Sequence, residues 1–242
     1  MTNEYTALQL LEHHAFSAVR LVNMKTVSDG AFVPLAETIE AEAFSRFGHA
    51  LGLFHLGFKG KDVPGLELHD AAWFSRSAPY VLAEVASLAE SGEYDLTLPE
   101  LGQLEEAGIM VAELAEPLTG LFSSFVHGNC TLQTAGFVGD RACMRDWGSA
   151  TVGFPWLDAA SLSRGAEDAS RDCLVALVSS YADAADYPVG ALGDLLPFVR
   201  AMHDVYTLDR WNVELSSGIR ASGSLKREGE RCVRRLLELV ST

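Results

Sequence analysis

A segment near the middle of the chain, residues 126–148, interrupts a sequence in which apolar residues mostly recur at helical spacing. It reads VHGNCTLQTAGFVGDRACMRDWG, with an HGN triplet that begins at His127 and a DWG triplet that begins at Asp146. Short apolar pieces joined by a glycine-containing turn lie between the triplets, and they predict a pair of short strands. A polar cluster, a hairpin and then an acid before an aromatic residue and a glycine indicate a catalytic loop followed by a metal-binding loop.

The rest of the sequence divides into a small mixed α/β part and a larger, mainly helical part. The spacing of apolar residues predicts helices in these segments: 4–14, Pro34 to about Leu53, 98–115, 156–184, 190–207 and 224–240. Val, Phe and Thr at 15–27 predict an extended segment, and the glycines and proline of 54–70 predict short strands and turns. The apolar run at 79–86 fits either a buried strand or a short helix.

The charge of the chain narrows the classes of partner. Of 242 residues, 33 are acidic and 18 are basic, so the formal net charge is −15. Such a surface repels a phosphate backbone, which argues against nucleic-acid binding. It suits a basic partner or a cationic small molecule, although acidity also serves solubility alone.

The cysteine pattern and the apolar stretches predict a cytoplasmic protein with no zinc site and no membrane span. The four cysteines form no CxxC pair, and none lies beside a histidine at metal-ligand spacing. Scattered cysteines of this kind are typical of a reducing compartment. The first residues, MTNEYTALQLLEHH, lack the regions of a secretory signal, and no apolar stretch approaches the ~18 residues that a membrane span needs.

The middle segment and the residues after it resemble the aminoglycoside phosphotransferase and choline kinase superfamily, a branch of the protein-kinase-like fold. The usual pattern there is HGD-L-H-x-x-N, then I-D-W/F-G, then G-D-P-x-x-D-L-A. This chain matches the pattern at His127, Gly128, Asp146, Trp147, Gly148, Gly153, Pro155, Asp158 and Ala160. In the superfamily, the acid at the position of Asp158 usually supports the catalytic loop from the following helix. The resemblance implies an α+β fold of two lobes, with a shortened N-terminal lobe at residues 1–86 and a mainly helical C-terminal lobe at 87–242.

Three of the departures from that pattern affect chemically active positions, and one of them is Phe154, which replaces the aspartate of the GDP triplet. Asn129 stands at the position of the catalytic aspartate, and a neutral amide is not a useful base near neutral pH. Thr134 stands at the position of the metal-binding asparagine and offers magnesium a single hydroxyl oxygen. His127 and Asn129 are therefore the candidate catalytic residues. Asp146 is the candidate metal ligand, and Thr134 is a candidate cofactor contact.

The first part of the chain contains a candidate pair for the phosphates of a nucleotide. Lys25 lies on the predicted extended segment, and Glu42, or Glu40, follows on a predicted helix, as in the lysine–glutamate pair of kinases. An exposed strand lysine is the alternative interpretation of Lys25. No glycine precedes Lys25, where a glycine-rich hairpin normally covers the phosphates, so ATP binding is expected to be weak or lost. Residues 79–84 are the candidate hinge strand that would contact adenine.

Two functions follow from the resemblance, and a third does not need it. The first is a pseudokinase-type binding subunit that holds a peptide, a small molecule or a partner protein in the cleft between the lobes. The second is an active, non-standard phosphotransferase that uses ATP and magnesium. Its substrate would be a hydroxyl of a small cationic molecule, or of a Ser/Thr-containing precursor peptide of a natural product. In either case, a second chain is a candidate for completing the site. The third is an unrelated helical interaction protein in which the two triplets are coincidental.

Overall fold

The computed structural model describes residues 20–21, 31–61, 63–118, 121–187, 189–216 and 223–241. The strands of the described residues are β1 (Arg20–Leu21), β2 (Phe32–Pro34), β3 (Leu68–His69), β4 (Ser124–Val126), β5 (Ala135–Val138), β6 (Arg141–Met144) and β7 (Thr151–Gly153). The helices are α1 (Ala41–Gly57), α2 (Ala71–Glu90), α3 (Leu98–Ala115), α4 (Trp156–Ala169), α5 (Arg171–Ala184), α6 (Val189–Ser216) and α7 (Gly223–Val240). No helix in this described part of the chain is both long and apolar enough to cross a membrane. The predicted helix at 4–14 lies outside the described residues, and the predicted extended segment at 15–27 is described only in β1.

The chain forms two compact units, each built from two separate segments. One consists of Met1–Leu68 and Phe122–Leu196, and the other of His69–Leu121 and Pro197–Thr242. The boundary predicted after residue 86 falls inside α2, and the division into lobes at 1–86 and 87–242 stays a prediction. The HGN triplet, the DWG triplet and Asp158 all belong to the first unit.

Two small sheets hold the ends of the central segment. In the four-stranded sheet the order is β1-β6-β5-β2, with β1 parallel to β6 and the other neighbours antiparallel. Strands β5 and β6 form the hairpin that the sequence predicts between the two triplets, and Gly139 in its turn has a φ of 59°. In the other sheet β4 and β7 pair antiparallel. The strand that precedes the HGN triplet therefore lies beside the strand that follows the DWG triplet, which brings the two loops together.

Helices α1 and α5 of the first unit pack with their backbones in close approach. A Cβ atom at Gly48 would lie 2.5 Å from the carbonyl oxygen of Leu177, and one at Gly52 would lie 2.7 Å from that of Tyr181. Residues four apart share one face of a helix, so the two glycines give α1 a smooth stripe against α5. Because the helices come this close, His55 on the next turn of α1 reaches the side chain of Tyr181.

The helix predicted at 156–184 is two helices in the structure. The break is at Ser170, whose backbone is extended, with φ at −172°. The Ser170 side chain accepts a hydrogen bond from the N–H of Cys173 at 3.1 Å and so caps the start of α5. A serine cap requires only one residue outside the helical conformation, so the spacing of apolar residues gives little sign of it.

Residues 79–84, the candidate hinge strand, are helical, and this corrects that prediction. They lie inside α2, which continues from Ala71 to Glu90 although Pro79 is within it. The helix begins after Asp70, whose carboxylate accepts a hydrogen bond from the N–H of Trp73 at 2.8 Å. Its buried residues recur at helical spacing: Ala71, Phe74, Ala78, Val81, Leu82 and Val85. A backbone that is engaged in helical hydrogen bonds cannot also pair with an adenine ring.

An alanine at Gly52 is expected to destabilise the protein, because its Cβ atom would meet the Tyr181 carbonyl oxygen at 2.7 Å and the Ala184 Cβ atom at 2.8 Å. Overpacking of this kind costs about 1–3 kcal/mol, which exceeds the helix propensity that alanine gains. Urea unfolding followed by circular dichroism measures the change. The control is Gly102→Ala on α3, where nothing lies within 4 Å, and it is expected to leave the free energy of unfolding unchanged or raised. Equal stability of the two variants would contradict the tight contact.

Candidate functional site

A buried aspartate at the start of α4 holds the loop of the HGN triplet. Asp158 is fully buried, and its carboxylate oxygens accept hydrogen bonds from the backbone N–H groups of His127 and Gly128, each at 2.8 Å. Gly128 has a φ of 76°, a conformation that glycine adopts without steric cost. The glycine of the triplet therefore allows the turn that aims two consecutive N–H groups at one carboxylate.

A histidine from α1 contacts the same carboxylate. The Nε2 atom of His55 lies 3.2 Å from Oδ2 of Asp158, and its Nδ1 atom lies 2.9 Å from the hydroxyl of Tyr181 on α5. All three side chains are fully buried. Hydrogen bonds therefore run from α5 through α1 to the carboxylate and on to the loop backbone. His55 and Tyr181 were not predicted as site residues from the sequence. The signal that indicates a close helix contact there is the pair of glycines one and two turns before His55.

These contacts keep the carboxylate of Asp158 charged. Burial by itself raises the pKa of an acid, but the hydrogen bond from His55 and the interactions with His55 and His127 hold the pKa of Asp158 below its ordinary value. Burial also raises the pKa of the Cys130 thiol, and the nearby charge of Asp158 raises it further. Cys130 is thus a protonated thiol, 3.8 Å from the sulfur of Met144, and not a nucleophile.

His127 ties the two loops together. Its Nδ1 atom accepts a hydrogen bond from the N–H of Asn129 at 3.2 Å, and its Nε2 atom donates to the carbonyl oxygen of Arg145 at 2.8 Å. These bonds assign the ring proton to Nε2 and the lone pair to Nδ1, so both nitrogens are engaged. The ring also packs edge-on against Trp147, with 4.6 Å between the centroids. The arrangement gives this candidate catalytic residue a positional role.

Thr134 closes the loop that follows the HGN triplet. Its hydroxyl donates to the carbonyl oxygen of Asn129 at 2.9 Å and accepts a hydrogen bond from the N–H of Thr131 at 2.8 Å. Thr134 is buried, whereas Asn129 is exposed. The hydroxyl that stands at the metal-binding position is therefore engaged within its own loop, and Asn129 lies at the surface of that loop.

Asp146 lies exposed at a turn that the protein core fixes. Its φ of 65° and ψ of 57° are left-handed, a conformation that costs a non-glycine residue about 1–3 kcal/mol. The next residue anchors the turn: the indole N–H of Trp147 donates to the carbonyl oxygen of Met144 at 3.1 Å, and its ring stacks on Phe125. The side chain of Asp146 remains 57% exposed. Strain of this kind is found most often at functional sites, so the core holds this acid in an unusual position at the surface.

Among the described residues of the HGN and DWG loops, Asp146 is the acid that a magnesium ion would contact. Magnesium requires near-octahedral oxygen ligands, and proteins usually hold it through carboxylates. Here the carboxylate of Asp146 would act without help from Thr134, whose hydroxyl is engaged, and Asn129 is an amide in the place of an acid. Within the residues that the structure describes, no group of three or more His, Cys, Asp or Glu side chains could hold a metal ion. The loop therefore supplies one exposed carboxylate, and magnesium is usually bound by one or two carboxylates together with the phosphates of a substrate.

Of the predicted phosphate-binding pair, the structure describes only the glutamate. Glu42 is exposed in the first turn of α1, and Glu40 is exposed immediately before that helix. Lys25 lies outside the described residues. The pairing of Lys25 with either glutamate stays a prediction.

The third departure from the superfamily pattern belongs to the core. Phe154 is 1% exposed, and its ring centroid lies 5.3 Å from that of Trp156 at the start of α4. An apolar ring thus fills the position where the pattern has an acid. It stabilises the entry to the helix that carries Asp158 by burying apolar surface, without adding a charge.

Comparison with known proteins finds similarity at the level of structure. No family model matches the chain, and no curated protein matches its sequence. The choline kinase LicA from Streptococcus pneumoniae is 15% identical, with a TM-score of 0.62 over 98% of this chain and 80% of that one. A choline/ethanolamine kinase family protein from Mesorhizobium loti is 17% identical, with a TM-score of 0.57 over 88% of this chain and 71% of that one. An ADP-bound aminoglycoside phosphotransferase, APH(2'')-Ib, is 13% identical, with a TM-score of 0.59 over 98% of this chain and 82% of that one.

These similarities and the two tethered loops define the class. The chain has the α+β, protein-kinase-like fold of the choline kinase and aminoglycoside phosphotransferase structures, which confirms the resemblance and the fold class predicted from the sequence. Its sequence matches the superfamily pattern at the histidine and the glycine of the HGN triplet and at Asp158. It carries Asn129 and Thr134 where the pattern has its acid and its amide.

Replacing Asp158 by asparagine is expected to destabilise the protein by about 3 kcal/mol near neutral pH, since it breaks a buried, paired charge. The folded pKa of Asp158 lies below its unfolded value, so its contribution is present above about pH 4 and is lost as the pH falls through the folded pKa. The difference between wild type and variant in the free energy of unfolding should therefore narrow in acid. Urea unfolding at several pH values measures this.

The control for that comparison is Asp140→Asn, because the Asp140 side chain is fully exposed and its carbonyl oxygen keeps its bond to Arg46. It is expected to change stability little at any pH. Hydrogen exchange at the amides of His127 and Gly128 should accelerate in the Asp158 variant alone. Unchanged exchange at both amides would show that the carboxylate does not hold the loop.

Proposed function

We propose that this protein is a pseudokinase-type binding subunit, a kinase-fold chain that holds a ligand and does not transfer a phosphoryl group. The observation that carries the proposal is the engagement of the Thr134 hydroxyl within its own loop, next to an asparagine at the position of the base. Phosphoryl transfer depends on positioned metal ions and on a residue that orients the nucleophile. Asn129 and Thr134 are poorly suited to both tasks.

The preserved loop scaffold supports binding rather than decay of the site. A buried carboxylate is costly unless its partners are complete, and Asp158 has two backbone N–H groups and His55 as partners. The scaffold fixes a surface on which Asn129 and Asp146 are exposed. A rigid backbone with exposed polar side chains is a common basis for a binding surface.

A cationic ligand is the class that the charge favours. The chain has a formal net charge of −15, and Asp146 adds an exposed acid at the loop. One similar structure is a choline kinase, and choline is a hydroxyl-bearing cation. A small cation of that kind, or a basic segment of a peptide or partner protein, would be attracted by the same field.

A weak, non-standard phosphotransferase activity is the second candidate. It is favoured by Asp146, which the buried Trp147 holds exposed in a left-handed conformation. One similar structure, an aminoglycoside phosphotransferase, contains ADP. In this candidate, Asp146 would contact magnesium that arrives with ATP, and the substrate would present its own hydroxyl without a base from the loop.

Thermal unfolding in the presence of Mg-ATP separates the two candidates. The binding-subunit proposal expects no change in Tm at millimolar Mg-ATP, in the wild type and in Asp146→Ala alike. A nucleotide at a hundredfold excess over its Kd would stabilise the protein by about 2.7 kcal/mol, which is readily measured. A rise in Tm that Asp146→Ala abolishes would refute the proposal and favour the active enzyme.

Ligand binding is tested with choline and with an arginine-rich peptide. The proposal expects at least one of them to raise the Tm of the wild type, with a smaller rise in Asp146→Asn and at high salt, because the attraction is electrostatic. Asp140→Asn, which removes an exposed acid from the β5–β6 turn, serves as the charge-matched control. Identical shifts in both variants would place the ligand away from the DWG loop.

A further inference from the structure

Arg145 stands directly before Asp146, at a position where the superfamily pattern has isoleucine. Its Nε atom donates a hydrogen bond to the carbonyl oxygen of Gln133 at 3.1 Å and lies 3.6 Å from Oδ2 of Asp146. Its Cζ atom lies 4.7 Å from the centre of the Phe32 ring. The guanidinium is thus held between a carbonyl group, a carboxylate and an aromatic face, three partners that suit its planar cation.

The backbone of Arg145 is fixed by the loop of the HGN triplet. Its N–H donates to the carbonyl oxygen of Thr134 at 2.9 Å, and its own carbonyl oxygen accepts from Nε2 of His127 at 2.8 Å. The side chain therefore starts from a fixed point and is 30% exposed. The side chain of this arginine thus has partners on three sides, and its backbone is hydrogen-bonded at both the N–H and the carbonyl group.

We propose that the guanidinium of Arg145 takes the electrostatic place of a metal ion at Asp146 and excludes divalent cations from that carboxylate. This inference rests on the proposed function and names the residue that makes the DWG loop independent of metal. A cation on Asp146 would meet a fixed positive charge well inside the screening length, which is about 8 Å at physiological ionic strength.

A purely stabilising role explains the arginine less well. An exposed ion pair of this kind contributes little to folding, and an isoleucine would also cover Phe32. Arginine differs from the isoleucine of the pattern in carrying a charge. The Nε atom of Arg145 lies 3.6 Å from Oδ2 of Asp146, the acid at the metal position. The charge of Arg145 therefore bears on what Asp146 can bind.

The test uses the full chain with the double substitution Asn129→Asp/Thr134→Asn, which returns the acid and the amide of the pattern. In that background, three side chains are compared at position 145: the native arginine, Arg145→Gln and Arg145→Lys. Glutamine removes the charge but can still donate to the carbonyl oxygen of Gln133, and lysine keeps the charge. Mn²⁺ is titrated as the probe, and its free concentration is read from its electron paramagnetic resonance signal.

The glutamine variant is expected to bind Mn²⁺ about tenfold more tightly than the arginine form, whereas the lysine variant should match the arginine form. Adding Asp146→Ala to the glutamine variant should remove the gain. Equal Mn²⁺ binding in the arginine and glutamine forms, including its absence in both, overturns the inference, as does a gain that survives Asp146→Ala. The Tm of each form without metal verifies folding. A Mg-ATP shift in the wild type would refute the proposed function, whereas the Mn²⁺ comparison tests Arg145 alone.

Discussion

The buried carboxylate of Asp158 connects parts of the chain that are far apart in sequence. It accepts hydrogen bonds from two consecutive backbone N–H groups at His127 and Gly128, and it meets His55 of α1. A buried charge is tolerated only when its hydrogen-bond partners are complete, so the stability of the folded first unit depends on all of these contacts. The positions of Asn129, Thr134, Arg145 and Asp146 follow from that arrangement, since each belongs to a loop that His127 or its neighbours hold in place.

An active kinase needs residues that hold its loops in place and residues that act on the phosphate, and these two sets differ in this site. The parts that hold the loops are present: the supporting acid, the glycine in its left-handed turn and the tryptophan that anchors the DWG turn. In the proposed binding subunit, Asn129 and Thr134 stand in place of the acid and the amide of the pattern, and Arg145 lies beside the retained Asp146. Scaffold residues are buried, so their loss would cost folding free energy. Asn129 and Asp146 are exposed, so replacing either of them is expected to change the free energy of unfolding little.

The sequence predicts those parts of the fold that local patterns encode. The triplets, the hairpin between them and the supporting acid are contiguous or regularly spaced, and the structure contains them as expected. The contact of His55 with Asp158 joins residues that are separated by 103 positions, and no local pattern marks it. The hinge strand at 79–84 was wrong because a short apolar run fits either a strand or a helix, and the cap at Asp70 with the buried spacing of α2 decides for the helix. The role of Arg145 depends on a side-chain direction that a sequence pattern does not contain.

The helix break at Ser170 constrains the number of residues that can lie between it and Tyr181. In an uninterrupted helix, Asp158 and Tyr181 would lie about 35 Å apart, because each residue adds 1.5 Å. The reversal between α4 and α5 lets both side chains reach one imidazole. The cap at Ser170 defines the first turn of α5. The direction of the Tyr181 hydroxyl therefore depends on the number of residues between Ser170 and Tyr181. One inserted residue in that stretch would rotate the tyrosine by about 100° around the helix axis. The number of residues between Ser170 and Tyr181 is therefore constrained, as is the spacing within the triplets. Neither Ser170 nor Tyr181 belongs to a recognisable motif.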